Sequence, residues 1–135
     1  MIRILFVDDD PDIRELMTDE LMEHGGIQVE SSTSAVEAIQ VLLKNRYDAV
    51  VSDNRMTGMD GIDFFRTIRP LYPDMVFILY SGGECDDRIR SALKDGLDRY
   101  VRRSGDLEGE VSDLISIIGG KIRDKARTSF SSTSE

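Results

Sequence analysis

Three short, uninterrupted apolar runs in this chain each end in polar, mostly acidic residues. Ile4-Leu5-Phe6-Val7 ends in Asp8-Asp9-Asp10, Ala49-Val50-Val51 in Ser52-Asp53, and Val76-Phe77-Ile78-Leu79-Tyr80 in Ser81-Gly82-Gly83. Strands that are apolar on both faces are buried on both faces, as in a parallel sheet covered by helices. Ligands of open α/β sheets gather beyond the carboxyl ends of such strands. If the three runs are neighbours, two or three carboxylates and a hydroxyl meet at one spot. Two carboxylates about 4 Å apart repel by roughly 1 kcal/mol in water and about 4 kcal/mol near a protein surface. A fold that gathers them therefore calls for a cation, and the pattern points to an acidic metal pocket suited to phosphate chemistry.

The segments between the strands carry helical periodicity. Asp10 can cap a helix with Pro11 at its first position; Ile13, Leu16, Met17 and Leu21 then share a face, and His24-Gly25-Gly26 ends it. Ile27-Gln28-Val29-Glu30 alternates apolar and polar, as a strand at a sheet edge does. Ser34-Ala35-Val36-Glu37 reads as a capping box, followed by a stripe of Ala35, Ala38, Ile39, Leu42 and Leu43. A loop from Asn54 to Asp60 precedes a helix that turns Ile62, Phe65 and Ile68 inward and stops before Pro70. A fourth helix spans Asp86 to Lys94 and is stopped by Gly96, Arg99-Tyr100-Val101-Arg102 is a short fifth strand, and Leu107, Val111, Leu114, Ile115 and Ile118 line a last helix. Gly119-Gly120 ends or frays that helix in this reading. Residues 1–120 then form one domain, and the serine-rich stretch 121–135 a flexible linker or tail. Strands separated by helices imply an α/β fold with a parallel sheet, right-handed crossovers and helices on both faces.

At 135 residues the chain suits a single domain of ordinary size. A net charge of −9 is opposed to nucleic-acid binding by this chain, which calls for a basic patch. No apolar run approaches the roughly 20 residues of a membrane span, and the first strand begins too early for a signal peptide. The single cysteine, Cys85, suits a reducing, cytoplasmic setting.

Four pieces in order resemble the receiver domains of two-component response regulators, over about residues 2 to 118. They are the pair Asp8-Asp9, the run Tyr47-Asp48-Ala49-Val50-Val51-Ser52-Asp53 leading to Met56-Thr57-Gly58-Met59-Asp60-Gly61, Ser81-Gly82 after the fourth strand, and Tyr100 in the fifth. The segment Tyr100 to Asp106 is similar, more narrowly, to receivers attached to sensory kinases of methanogenic archaea. The resemblance implies a flavodoxin-like five-stranded sheet of order 2-1-3-4-5. It also implies a phosphoacceptor switch: Asp53 takes a phosphoryl group from a histidine kinase, a phosphotransfer protein or a small phosphodonor. Asp9 binds Mg²⁺ directly, Asp8 through a water, and Asp53 and the backbone carbonyl of Arg55 complete the protein ligands. Ser81 bonds the phosphoryl oxygen and Tyr100 is the aromatic switch. Phosphorylation biases a surface of the fourth helix, fifth strand and fifth helix toward a partner or a homodimer.

Two positions depart from the family pattern. Arg103 stands at the usual sheet-end lysine, keeping the charge while replacing a point charge with a planar fork. Thr57 replaces a usual proline, which should loosen its loop without touching chemistry. Duller readings stand beside these roles: Asp10 as a helix cap, His24 as a complement to a helix dipole, Cys85 as an inert loop thiol. The alternative function is a receiver-like interaction module indifferent to phosphorylation. A phosphatase of similar fold is a further class, disfavoured because the chain shows no second acid–base residue near Asp53. On the leading reading the chain is no enzyme beyond promoting its own phosphorylation and dephosphorylation.

Overall fold

The computed structural model describes residues 1–133, with side chains described through Arg127. Its elements alternate: β1 (Ile2–Val7), α1 (Pro11–Glu23), β2 (Ile27–Ser32), α2 (Ala35–Lys44), β3 (Ala49–Ser52), α3 (Gly61–Ile68), β4 (Val76–Ser81), α4 (Asp87–Lys94), β5 (Arg99–Arg102) and α5 (Leu107–Thr133). The five strands pair in parallel in the order β2-β1-β3-β4-β5, as the resemblance implied. Register places Val7 opposite Ser52, Ser52 opposite Leu79, and Ser81 opposite Arg102. The three strands that end in polar residues are thus the three central ones; β1 and β3 end level, and β4 runs two residues further, to Ser81.

Alternate side chains of β1, β3 and β4 feed two cores. On one face Phe77 meets Phe64 and Phe65 edge-on, with ring centroids 5.2 and 5.4 Å away, under α2, α3 and α4. On the other, Phe6, Val51 and Ile78 pack beneath Met17 and Leu21 of α1 and Val111, Leu114 and Ile118 of α5. All five helices start on side-chain caps that satisfy free amides: Asp10 takes the N–H groups of Asp12 and Ile13, Ser34 that of Glu37, Asp60 that of Asp63, Asp86 that of Ile89 and Asp106 that of Gly109. Glu37 does not close the expected box on Ser34; its carboxylate accepts from the N–H and hydroxyl of Thr33.

Two predicted core positions face solvent. Leu16 is 45% and Leu43 63% exposed. Each adjoins a buried residue, Met17 or Leu42, and one step along a helix is a turn of about 100°, which carries the side chain off the inward stripe.

The largest difference lies in α5. Gly119 and Gly120 do not end it; the helix runs through Thr133. Neither glycine has a positive φ, and a glycine inside a helix costs only about 1 kcal/mol relative to alanine. Tertiary contacts offset that cost. Ile122, one turn beyond Ile118, packs on the second core, and the Lys125 ammonium lies 3.0 Å from Asp98 Oδ1 and 3.3 Å from the Met75 carbonyl. The expected flexible stretch from Lys121 is therefore helical as far as Thr133, while Ser134 and Glu135 lie outside the described residues. Among the described residues no helix is long and apolar enough to cross a membrane.

Candidate functional site

The site is built at the carboxyl ends of β1, β3 and β4. The N–H of Asp53 bonds the Val7 carbonyl at 2.9 Å, extending the β1–β3 ladder by one rung and fixing Asp53 beside the first acids. Its carboxylate accepts the N–H of Asn54 at 2.8 Å. Gly61, opening α3, sits directly on this backbone: a β-carbon there would lie against the Asp53 carbonyl, 2.8 Å from Leu79 Cδ2 and 2.9 Å from Asn54 Cα. Only a glycine allows that approach.

Asp8, Asp9 and Asp53 each present a carboxylate oxygen within 4.8 Å of the others. Asp8 is 1% exposed and Asp53 8%, whereas Asp9 is open to solvent. Burial pushes the Asp8 carboxyl above its ordinary range, with the Asp53 charge adding to the effect; the N–H of Asp10 and the Arg103 guanidinium oppose it. Three hard oxygen donors with one open side suit a magnesium ion, which takes oxygen ligands, keeps several waters and is held by one or two carboxylates beside phosphate.

Arg103 reaches the pocket from just beyond β5. Its Nη2 lies 2.6 Å from Asp8 Oδ2 and 3.9 Å from Asp53 Oδ2. The sheet-end cation is thus present, engaged first with Asp8. Ser81, buried at the end of β4, adjoins it through the backbone, its carbonyl accepting the Arg103 N–H at 2.9 Å. Tyr100 is half-buried in β5, and its hydroxyl donates to the Gly83 carbonyl in the β4–α4 loop. Arg55 lies exposed in the loop after Asp53. Asp10 caps α1, as expected. His24 is the exposed C-cap of α1, its N–H bonded to carbonyls of the last turn.

Thr57 corrects one expectation. Its N–H (3.0 Å) and hydroxyl (3.3 Å) both donate to Asp9 Oδ2, so this residue touches the acid pocket directly. Its place at a usual proline position held the clue, since proline has no N–H to give. Arg14, which donates to the Asp8 carbonyl at 2.7 Å, and the Tyr80–Glu110 pair described below carried no comparable signal.

Comparison with known proteins decides the family. The profile of the response regulator receiver domain matches residues 4–110. The chain belongs to that family. The receiver is similar to the C4-dicarboxylate transport transcriptional regulatory protein DctD of Rhizobium meliloti, 36% identical over 100 residues, which cover 74% of this chain and 22% of DctD. It spans about a fifth of that relative's length. A response regulator receiver domain protein from Clostridium thermocellum superposes with a TM-score of 0.83 at 27% identity, covering 95% of this chain and 99% of the other. Response regulator TrrA from Thermotoga maritima, solved in complex with Mg²⁺ and BeF, gives a TM-score of 0.74 at 31% identity, covering 87% of this receiver and 99% of TrrA. The narrower likeness to methanogen sensory receivers gains no support from these relatives.

Proposed function

We propose that Asp53 is the phosphoryl acceptor of this receiver domain, that the donor is a phosphohistidine of a histidine kinase or phosphotransfer protein, or a small phosphodonor, and that residues 1–120 carry the function. The observation behind this reading is the position of the Asp53 carboxylate, held at the end of a central strand among two further acids and 3.9 Å from a guanidinium. A carboxylate oxygen of Asp53 forms the new bond to phosphorus as the phosphorus–nitrogen bond to the donor imidazole breaks, and the electron pair leaves on that nitrogen. Little covalent work falls to the protein beyond positioning and charge. Asp8, Asp9, Asp53 and the carbonyl of Arg55 are the groups that would hold Mg²⁺, whose contribution when bound is to neutralise charge on the phosphoryl oxygens. Arg103 then exchanges its partner Asp8 for a phosphoryl oxygen, and Ser81 donates its hydroxyl to another. Tyr100 leaves Gly83 and turns inward, which remodels α4, β5 and α5 toward a partner or a second receiver. The setting we assign is the cytoplasm, and the only catalysis is of the domain's own phosphorylation and dephosphorylation.

The test is incubation with acetyl phosphate and Mg²⁺ followed by intact mass. One added phosphoryl group is expected on the wild type and none on Asp53→Asn. An unmodified wild type, or an adduct that survives the substitution, overturns the reading.

A further inference from the structure

The Arg103 guanidinium does more than pair with Asp8. Its central carbon lies 4.8 Å from the centre of the Tyr80 ring, and Nη2 is 3.4 Å from the Tyr80 carbonyl. Tyr80 is itself held from the far side: its hydroxyl donates to Glu110 Oε1 at 2.6 Å. Glu110 is 6% exposed, and its other oxygen accepts from the Ser104 hydroxyl at 3.3 Å and the Gly105 N–H at 3.1 Å. A buried carboxylate persists only where donors meet it. Here Tyr80 of β4 supplies one donor and the corner that follows Arg103 supplies the other two. A continuous path therefore runs from Asp8 through Arg103 and Tyr80 to Glu110 and back to the β5–α5 corner. Within it one donor is left over, since among the described residues the buried Arg103 Nε–H has no acceptor. That unmet donor is relieved if the guanidinium turns toward a new oxyanion.

We infer that Tyr80 and Glu110 are positioning residues: the Tyr80 ring, anchored by Glu110, holds the Arg103 guanidinium over the acid pocket, poised between Asp8 and an oxyanion on Asp53. The oxyanion half of this inference rests on the phosphoacceptor reading above. Arg suits the arrangement where the usual lysine would not, because a planar guanidinium stacks on an aromatic face while keeping its edge free for acceptors.

Two measurements on the full chain test it. The first is the Arg103 Nε–H resonance in ¹H–¹⁵N spectra without metal. It is expected to be displaced by the Tyr80 ring and slow to exchange in the wild type, to return to its random-coil position in Tyr80→Leu, and to persist in Glu110→Gln, which keeps an acceptor oxygen. Tyr80→Phe serves if the leucine variant does not fold; loss of the anchoring hydroxyl should speed exchange at Arg103, Ser104 and Gly105. The second is titration with Mg²⁺ and beryllofluoride. Tyr80→Leu should weaken beryllofluoride binding about fivefold and have no further effect in an Arg103→Ala background. An Arg103 signal unchanged by the Tyr80 substitutions overturns the inference. So does an affinity loss of equal size with and without Arg103. If the wild type takes no beryllofluoride, the phosphoacceptor reading fails, and the Nε–H comparison alone decides whether Tyr80 and Glu110 position Arg103.

Discussion

Gly61 and Thr57 show how much of the pocket is set by residues that carry no charge. Adding one methyl at Gly61 drives it into the Asp53 backbone and Leu79; Gly61→Ala should cost about 1–3 kcal/mol, read as a lowered urea midpoint. At Thr57 two donors hold an oxygen of Asp9 that a metal ion would also use. Thr57→Pro removes both, and Mg²⁺ affinity by calorimetry should rise about threefold to tenfold, the equivalent of one ordinary hydrogen bond. An unaltered affinity would show that these bonds do not compete with the ion. The acids themselves were legible because Asp8-Asp9 and Asp53 come right at the ends of apolar strands. Tyr80 and Glu110 were not. A tyrosine closing an apolar run reads as core, and a glutamate in a first helical turn reads as a complement to the dipole; their pairing arises only when β4 and α5 are packed together.

At the scale of elements, β1 and β2 are fastened to the loop before β3 by one polar cluster at the opposite end of the sheet from the pocket. The Tyr47 hydroxyl donates to Glu30 Oε2 at 2.5 Å, and Arg3 pairs with Glu30 Oε1 at 2.9 Å while lying over the Tyr47 ring. The Tyr47 hydrogen bond holds the Glu30 carboxyl below its ordinary value of 4.5. Its contribution to stability is therefore present above pH 4.5 and lost as pH falls through the lowered value. Burial, with Glu30 adding, pushes Tyr47 up from 10 to about 12. Its contribution is complete below pH 10 and lost as pH rises through about 12. Tyr47→Phe should return the Glu30 midpoint toward 4.5, followed by the ¹³C shift of its carboxyl, and flatten the alkaline loss of stability between pH 10 and 12. The order and type of elements could be read in advance because strand and helix periodicities alternate cleanly. The faces of α1 and α2 were read one residue too wide, since leucine is apolar on whichever side of a helix it stands.

For the molecule as a whole, the question is how far the receiver extends. Lys125 reaches back to Asp98, which also takes Arg69 at 3.1 Å and lies just before β5, at the opposite end of the sheet from the acid pocket. A chain ending at residue 120 should fold, bind Mg²⁺ as the full chain does, and lose about 2 kcal/mol, the scale of the charged hydrogen bonds it gives up, measured by urea unfolding. Altered Mg²⁺ affinity would place part of the pocket's support beyond that point. A helix of this reach was hidden because a glycine pair and a serine-rich stretch are local signals, whereas the anchors at Ile122 and Lys125 are supplied by strands far away in sequence. The length has a mechanical result. At 1.5 Å per residue the 27 residues of α5 make a rod of roughly 40 Å. It starts at the corner beside Arg103, and because Ile122 packs on the second core and Lys125 is pinned to Asp98, the rod is braced along most of its length rather than free to swing.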